Sequence, residues 1–354
     1  MTTSHRQVRC PVCADEFEWP DEPMVWLYNQ AAGRYEAFDV STVSSVKQAD
    51  LRRGGYRMCP NPSGDMVEHF IPASYGDYGE PLVIGLVGAP SSGKTHLLTS
   101  MVRQMHINGL ASHGITVSAL DFLRHRRFRE QFITPLEQGG ALPGTGTGMT
   151  EAADILLLRG PTGDRPLVFF DVAGEDLVNP DARNRSTRFL LGVDAVIFVH
   201  ASEDPLETGQ SSTASENRSF ELAIERLRDR RIPAAIVVTK SDRLRFVPPA
   251  ERWLHGGDEH TVNAARIRAE SRDVYAYLHH AGAGASLRPF EAFPRCTLHF
   301  TSASGGDAVV ETDGSPRKHF PRGFRPARVL EPLVSILAMT GAISGHEAEK
   351  VGMP

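Results

Sequence analysis

The run Pro81-Leu82-Val83-Ile84-Gly85-Leu86-Val87 is apolar almost without interruption, and it leads directly into Gly88-Ala89-Pro90-Ser91-Ser92-Gly93-Lys94-Thr95. A short continuous apolar run bounded by glycine and proline reads as a strand buried on both faces. The segment after it matches G-x-x-x-x-G-K-[ST]. From Thr95 to Ile107, the residues Leu97, Leu98, Met101, Val102 and Met105 then recur at helical spacing. Strand, glycine-rich turn and helix in that order constrain the chain to an α/β fold with the turn at the carboxyl end of a strand.

The residue types in the turn have a physical reason. A glycine-rich turn lets successive backbone N–H groups converge on phosphate oxygens at a helix N-terminus, where the helix dipole favours negative charge. Lys94 would bridge the outer phosphates and assist catalysis, and the Thr95 hydroxyl would hold Mg²⁺. The expected phosphate-side contacts are Gly88, Ala89, Pro90, Ser91, Ser92, Gly93, Lys94, Thr95 and the adjoining His96.

Three later segments carry ligand chemistry, each at the end of an apolar run. Pro166 to Glu175 ends in Asp171-Val172-Ala173-Gly174, a pattern in which Asp171 reaches Mg²⁺ through water and the Gly174 N–H approaches a γ-phosphate. Ala234 to Asp242 ends in Thr239-Lys240-Ser241-Asp242. There a carboxylate can accept two hydrogen bonds from the guanine N1–H and 2-amino group, donors that adenine lacks on that edge. Lys240 would lay its stem along the purine, and Thr239 would tie the strand end to the phosphate loop. Cys296 to Ser304 ends in Ser302-Ala303, where a backbone N–H can meet the guanine carbonyl oxygen. Taken singly these motifs are weak, but their order, each at a strand's carboxyl end, fits the ligand edge of a parallel sheet.

At 354 residues and 41% hydrophobic content, the chain can bury one large or two modest cores. A net charge of −5 gives no global argument for nucleic-acid binding. No stretch is apolar over the eighteen or so residues of a membrane span, and the N-terminus lacks the apolar core of a signal peptide. A cytoplasmic protein that is not a membrane protein is expected.

Four cysteines do not make a disulfide framework in a chain of this size. Cys10-Pro11-Val12-Cys13 has the knuckle form of a zinc ribbon, and Cys59 follows after a long gap. The position where a second pair would close holds Pro62, so a fourth Zn²⁺ ligand would be His69, His5 or an acidic side chain. A ribbon-like fold that has lost its metal is the alternative. Residues 1–78 are expected to form this small module, with Pro72 to Gly79 as linker.

From residue 79 to 345 the pattern predicts a mainly parallel, doubly wound sheet with one antiparallel edge strand. The expected hairpin joins Asp154–Arg159 to the Asp171 strand through Gly160-Pro161-Thr162-Gly163-Asp164. Insertions are expected at about 121–150 and 243–292, both as surfaces for partners or effectors.

The set Gly88–Thr95, Asp171–Gly174, Thr239–Asp242 and Ser302-Ala303 resembles the translation-factor-related class of P-loop GTPases, over roughly Pro81 to Thr340. The cysteine-bearing module, the Asp-Val-Ala-Gly-Glu-Asp segment and the inserted loops are most similar to the double-GTPase type 2 family of bacterial GTPase-associated conflict operons. The resemblance implies GTP and GDP as ligands, Mg²⁺, a switch threonine at Thr150 or Thr147, and protein partners that include a second GTPase. One departure matters. Many GTPases place glutamine after the Asp-x-x-Gly glycine to orient the attacking water, and this chain has Glu175. An ionised carboxylate only accepts hydrogen bonds and would face the anionic γ-phosphate, so slow turnover, or an arginine supplied by a partner, is expected.

Two other readings of the same motifs stand: a nucleotide-binding scaffold with little hydrolysis, and a P-loop ATPase in which Thr239–Asp242 is incidental. A zinc-ribbon nucleic-acid adaptor is a third. The run Arg124-His125-Arg126-Arg127-Phe128-Arg129 is expected to be a solvated helix face, and the histidines from His255 to His260 and at His279-His280 are expected to be surface or core residues.

Overall fold

The computed structural model describes residues 6–20, 22–64, 66–143, 152–171, 190, 192–202, 211–256, 261–310 and 317–353. Strands β1 (Gln7–Arg9) and β2 (Glu16–Glu18) form a hairpin around the Cys10–Cys13 knuckle. A second antiparallel sheet has the order β4-β3-β5-β6, from β3 (Met24–Asn29), β4 (Arg34–Asp39), β5 (Tyr56–Met58) and β6 (Phe70–Pro72). Helix α1 (Ser45–Gly54) connects β4 to β5.

The main sheet contains β7 (Leu82–Gly88), β8 (Thr116–Ala119), β9 (Ala152–Arg159), β10 (Arg165–Asp171), β11 (Ala195–Ala201), β12 (Ala234–Thr239) and β13 (Cys296–Phe300). Their order is β13-β12-β11-β7-β10-β9-β8. β13, β12, β11, β7 and β10 are parallel, and β9 runs antiparallel to both β10 and β8. The expected antiparallel edge strand is therefore corrected: β9 lies one place in, and β8 pairs outside it and forms the edge. The hydrophobic pattern of β9 fixes its pairing with β10 but cannot say whether its other side is also covered.

Alternation across each strand divides the core into two faces. Leu82, Ile84, Leu86, Phe169, Ile197 and Val237 face the helices α2 (Lys94–His106) and α9 (Glu331–Met339). Val83, Val87, Phe170, Phe198 and Ile236 face α5 (Ser211–Leu227), α8 (Gly284–Ala292) and the cysteine-bearing hairpin. Burial of each such side chain is worth about 1.5–3 kcal/mol, and covering both faces explains why these strands read as unbroken apolar runs. Between α2 and α9 in sequence lie α3 (Phe122–Phe128), α4 (Thr134–Glu137), α6 (Ala250–Leu254) and α7 (Ala264–His280). α10 (His346–Lys350) follows α9. No helix among the described residues is long and apolar enough to cross a membrane.

The segment expected as a linker is packed. Tyr75 is 1% exposed and its hydroxyl donates to the Arg9 carbonyl at 3.2 Å. At Gly76 an added Cβ would lie 2.5 Å from the Trp19 ring, so only glycine permits this approach. Arg9 reaches Asp194, whose Oδ2 also accepts the Val83 N–H at 2.9 Å at the start of β7. Side chains of the hairpin thus belong to the same hydrophobic cluster as the main sheet.

Candidate functional site

The carboxyl ends of the parallel strands share one edge. β7 sits where the chain reverses direction across the sheet, with β10 on one side and β11 on the other. That switch point is where open α/β sheets bind ligands. A cavity of about 580 Å³ lies there, lined among others by Ser91, Lys94, His96, Lys240, Asp242 and Ala303. Pro90, Ser92, Gly93, Thr95 and Thr239 complete the sequence-derived part of its wall. This volume is in the range of small-molecule sites.

The loop geometry follows from its residues. Gly93 has φ +89, a left-handed conformation that glycine adopts without strain, and it precedes the first turn of α2. Gly88 could not carry a side chain, because a Cβ would sit 2.5 Å from the Val199 carbonyl oxygen. Lys94 is buried and donates to the carbonyls of Gly88 at 2.8 Å and Ala89 at 3.0 Å. The Ser92 hydroxyl is buried with no hydrogen-bond partner among the described residues, so it can take a ligand oxygen. An unpartnered hydroxyl beside a buried ammonium group fits a phosphate.

Thr95 donates its hydroxyl to Asp171 Oδ2 at 2.9 Å, which joins the start of α2 to the end of β10. Both are oxygen ligands suited to Mg²⁺, and the threonine oxygen keeps lone pairs for a cation while Asp171 can anchor an intervening water. Gly174, Glu175, Thr147 and Thr150 lie outside the described residues.

At the end of β12, Thr239 Oγ1 donates to the Ser92 carbonyl at 2.5 Å and also lies 3.0 Å from the His200 carbonyl. Lys240 has φ +54, which turns the chain sharply after β12. Asp242, 8% exposed, accepts the Ser302 hydroxyl at 2.6 Å. Ser302 Oγ in turn accepts the Gly305 N–H at 2.9 Å, and the Ser302 backbone exchanges hydrogen bonds with Ala327. Ala303 is held through its carbonyl by Ser100 of α2 at 2.7 Å.

Behind this loop is a buried ionic network. Glu270 accepts from His299 Nδ1 at 3.0 Å, from the Phe300 N–H at 3.1 Å and from Arg328 at 2.7 Å. Burial pushes the Glu270 carboxyl up, but His299 and Arg328 overcome it and the net shift is down.

Several lining residues carried no sequence signal. Ala141 and Leu142 meet Lys318 and Phe320 across the cavity mouth: the Ala141 N–H donates to the Lys318 carbonyl at 2.8 Å, and Leu136, Leu142 and Phe320 share a small apolar cluster. His96 Nε2 accepts the Leu142 N–H at 3.1 Å. Burial, aided by the positive charge of Lys240, pushes the His96 imidazole down to about 4, so it is neutral at pH 7. Arg243 Nε and Nη2 both approach Asp307 Oδ1, at 2.9 and 2.8 Å. Within the expected insertion at 243–292, Arg243 is the described residue that lines this cavity. The opposite wall comes from Gly306, Asp307, Ala308, Lys318 and Phe320, which the sequence did not mark. Lys318 and Phe320 pair by backbone with Ala141 and Gly139, a contact that leaves no motif.

The cysteines converge. Cys10, Cys13, Cys59 and His69 are all buried, and their ligand atoms lie within 4.8 Å of one another. Cys13 and Cys59 sulfurs are 3.7 Å apart, too far for a disulfide but close to the roughly 3.8 Å edge of a tetrahedron built on Zn–S bonds of about 2.3 Å. Cys10 Sγ lies 3.3 Å from His69 Nε2. His69 Nδ1 is bonded to the Val67 carbonyl at 2.9 Å, which leaves the Nε2 lone pair for a metal. The donor set fits Zn²⁺, and His69 fills the fourth place; His5 lies outside the described residues.

The arginine-rich run is not a uniformly solvated face. Arg127 stacks over Tyr28 of β3 at 5.4 Å, and His125 Nδ1 bonds the fully buried Asp154 at 2.7 Å. The Tyr56 hydroxyl donates to Asp121, the N-cap of α3, at 2.7 Å.

No protein-family model matches the chain. A curated relative is the Mycolicibacterium smegmatis protein named "Putative ESX-1 scaffolding and assembly protein SaeC", 26% identical over 226 residues. The match covers 56% of this chain and 57% of that protein, so it spans little more than half of the relative's length. Among solved structures, one chain of the signal recognition particle receptor SRb-GTP/SRX complex from Chaetomium thermophilum aligns at 13% identity. It covers 65% of this chain and 94% of its own length, with a TM-score of 0.31, too low to carry an argument.

Proposed function

We propose that the chain is a Mg²⁺-dependent guanine-nucleotide-binding protein that hydrolyses GTP slowly and exchanges protein contacts with the bound nucleotide. The observation that carries this reading is that Thr239 at the end of β12 bonds the Ser92 carbonyl of the glycine-rich loop, while Ser302 bonds Asp242 and so joins the segments that follow β12 and β13. Lys94 would neutralise outer-phosphate charge, and Thr95 and Asp171 would hold the Mg²⁺, which supplies charge stabilisation at the phosphates. A carboxylate has about four lone-pair positions, so the Ser302 bond leaves Asp242 able to accept both guanine donors.

Mixed phosphate and base elements on one sheet edge favour GTP and GDP over ATP. Competition of ATP with labelled GDP is the test, and equal affinity for the two would exclude the guanine assignment. Multiple-turnover phosphate release then measures hydrolysis, alone and with candidate partners. Glu175 argues for a low intrinsic rate, and an arginine supplied by a partner can be worth about 10³–10⁵ in rate.

A second reading has its own support. The relative's name describes scaffolding and assembly, which favours a nucleotide-bound scaffold without turnover in a multi-protein system. Phosphate release that stays at background with every partner would favour it. The resemblance to the double-GTPase type 2 family points the same way as regards partners, with a second GTPase among them. Within either reading, residues 1–78 form a Zn²⁺-bearing module on a cytoplasmic nucleotide-binding domain at 79–345.

A further inference from the structure

A cluster apart from both sites joins three elements that lie far apart in sequence. His106 is in the last turn of α2, His125 is in α3, and Asp154 is in β9. One ligand atom from each lies within 4.8 Å of the other two. Asp154 is fully buried; its Oδ1 accepts the Ile155 N–H at 2.9 Å and its Oδ2 is 2.7 Å from His125 Nδ1. The His106 and His125 rings are 4.3 Å apart, and His106 Nε2 is buried with no hydrogen-bond partner among the described residues.

We infer that His106, His125 and Asp154 form a second metal site, for a divalent transition ion of the Zn²⁺ class. Two imidazoles and one carboxylate are the ligands such ions take, and three protein ligands leave a position for water. A hydrogen-bonded His–Asp pair alone accounts for His125 and Asp154. It does not account for the third nitrogen, buried with no partner among the described residues, which a bound cation would satisfy. The carboxylate is already held in place by the Ile155 N–H, as ligating carboxylates are. The charged groups that face the cluster are Asp121, near Asp154, and Arg129, near His106. They are of opposite sign, so the buried Asp154 carboxylate gives the site its negative charge.

Such an ion would clamp the far end of the phosphate-loop helix α2 to α3 and β9. α3 leads along the chain to Ala141–Pro143 at the cavity and α2 begins at Lys94 in its wall, so the clamp would fix the one segment relative to the other.

The test uses the full-length protein, stripped with a chelator and dialysed against Zn²⁺, with bound zinc counted by elemental analysis. His106→Ala is expected to hold one equivalent fewer than the unsubstituted protein, whatever the cysteine cluster retains. Zinc is also expected to raise the Tm of the parent more than that of the variant. Equal zinc content in the two proteins would overturn the assignment. Should the variant fail to fold, Co²⁺ titration of the unsubstituted protein decides. An added equivalent absorbing without thiolate-to-cobalt charge transfer supports the site, and saturation with thiolate-type bands alone overturns it.

Discussion

Ser302 donates its hydroxyl to Asp242 at 2.6 Å, across sixty residues of sequence and two neighbouring strand ends. The bond orients a carboxylate that is almost completely buried at the cavity wall. The sheet brings the two segments together: β12 and β13 are adjacent parallel strands, so both chain ends emerge at the same height.

Asp242→Asn replaces one acceptor oxygen with a donor that faces a guanine donor. Hydrogen bonds to a charged group are worth about 1.5–3 kcal/mol. GDP affinity should therefore fall by roughly 10–100-fold while ATP affinity changes little, as read by competition against a fluorescent nucleotide. An unchanged GDP-to-ATP ratio would remove Asp242 from the base site.

Thr239→Val removes the hydroxyl that ties Ser92 to β12 and leaves the buried Ser92 carbonyl short of a donor. The expected loss is about 1–3 kcal/mol in chemical denaturation, with faster nucleotide release because the loop is less fixed. Release kinetics equal to those of the parent would show that the tie does not position the loop.

The pH dependence of stability should carry a His96 component. Its pKa is depressed from the ordinary 6.5 to about 4, mainly by burial, so folding favours the neutral ring. As pH falls from 6.5 to about 4 the unfolded chain takes up a proton that the folded chain does not, and stability declines through that window. In His96→Gln this part of the slope should vanish, as measured by denaturation midpoints at several pH values.

Glu270→Ala should destabilise strongly, because it leaves Arg328, 4% exposed, without its closest carboxylate and frees the Phe300 N–H. Breaking a buried pair from one side costs about 3–5 kcal/mol. The same carboxyl titrates below its ordinary 4.5, so its contribution is present above that value and is lost as pH falls below it. A loss below about 1 kcal/mol would mean that Arg328 finds another partner.

Removing metal from the cysteine cluster should loosen the first module. Cys10, Cys13, Cys59 and His69 are packed in the interior, so without an ion the buried thiols and the His69 Nε2 keep only weak sulfur hydrogen bonds. A chelator should lower the Tm, and Zn²⁺ should restore it. Protein that contains no zinc as purified, with a Tm indifferent to chelator, would support the alternative of a ribbon-like fold that has lost its metal.

Much of the sheet was legible because strands buried on both faces leave unbroken apolar runs, as Leu82–Val87 and Ala234–Val238 do. The turn between β7 and α2 was legible because it requires glycine, at Gly88 for the close approach of Val199 and at Gly93 for a positive φ. The edge was not: the apolar run Ile155–Leu158 of β9 reports that its faces are covered, and says nothing of whether a further strand such as the more polar β8 pairs along its side. The cavity wall formed by Ala141, Leu142, Lys318 and Phe320 was also hidden, since it depends on backbone pairing between two loops.

By itself the sequence determined the strand-loop-helix start, the order of the motifs at the strand ends and the cysteine knuckle, because these are set by local periodicity and by residue types that a given backbone or ligand requires. Tertiary structure alone decided that His69 stands beside three cysteines, that His106, His125 and Asp154 meet, and that the Pro72–Gly79 segment is packed rather than free. Each of those depends on which faces of separate elements come together, and side-chain spacing along one chain carries no record of contacts between elements.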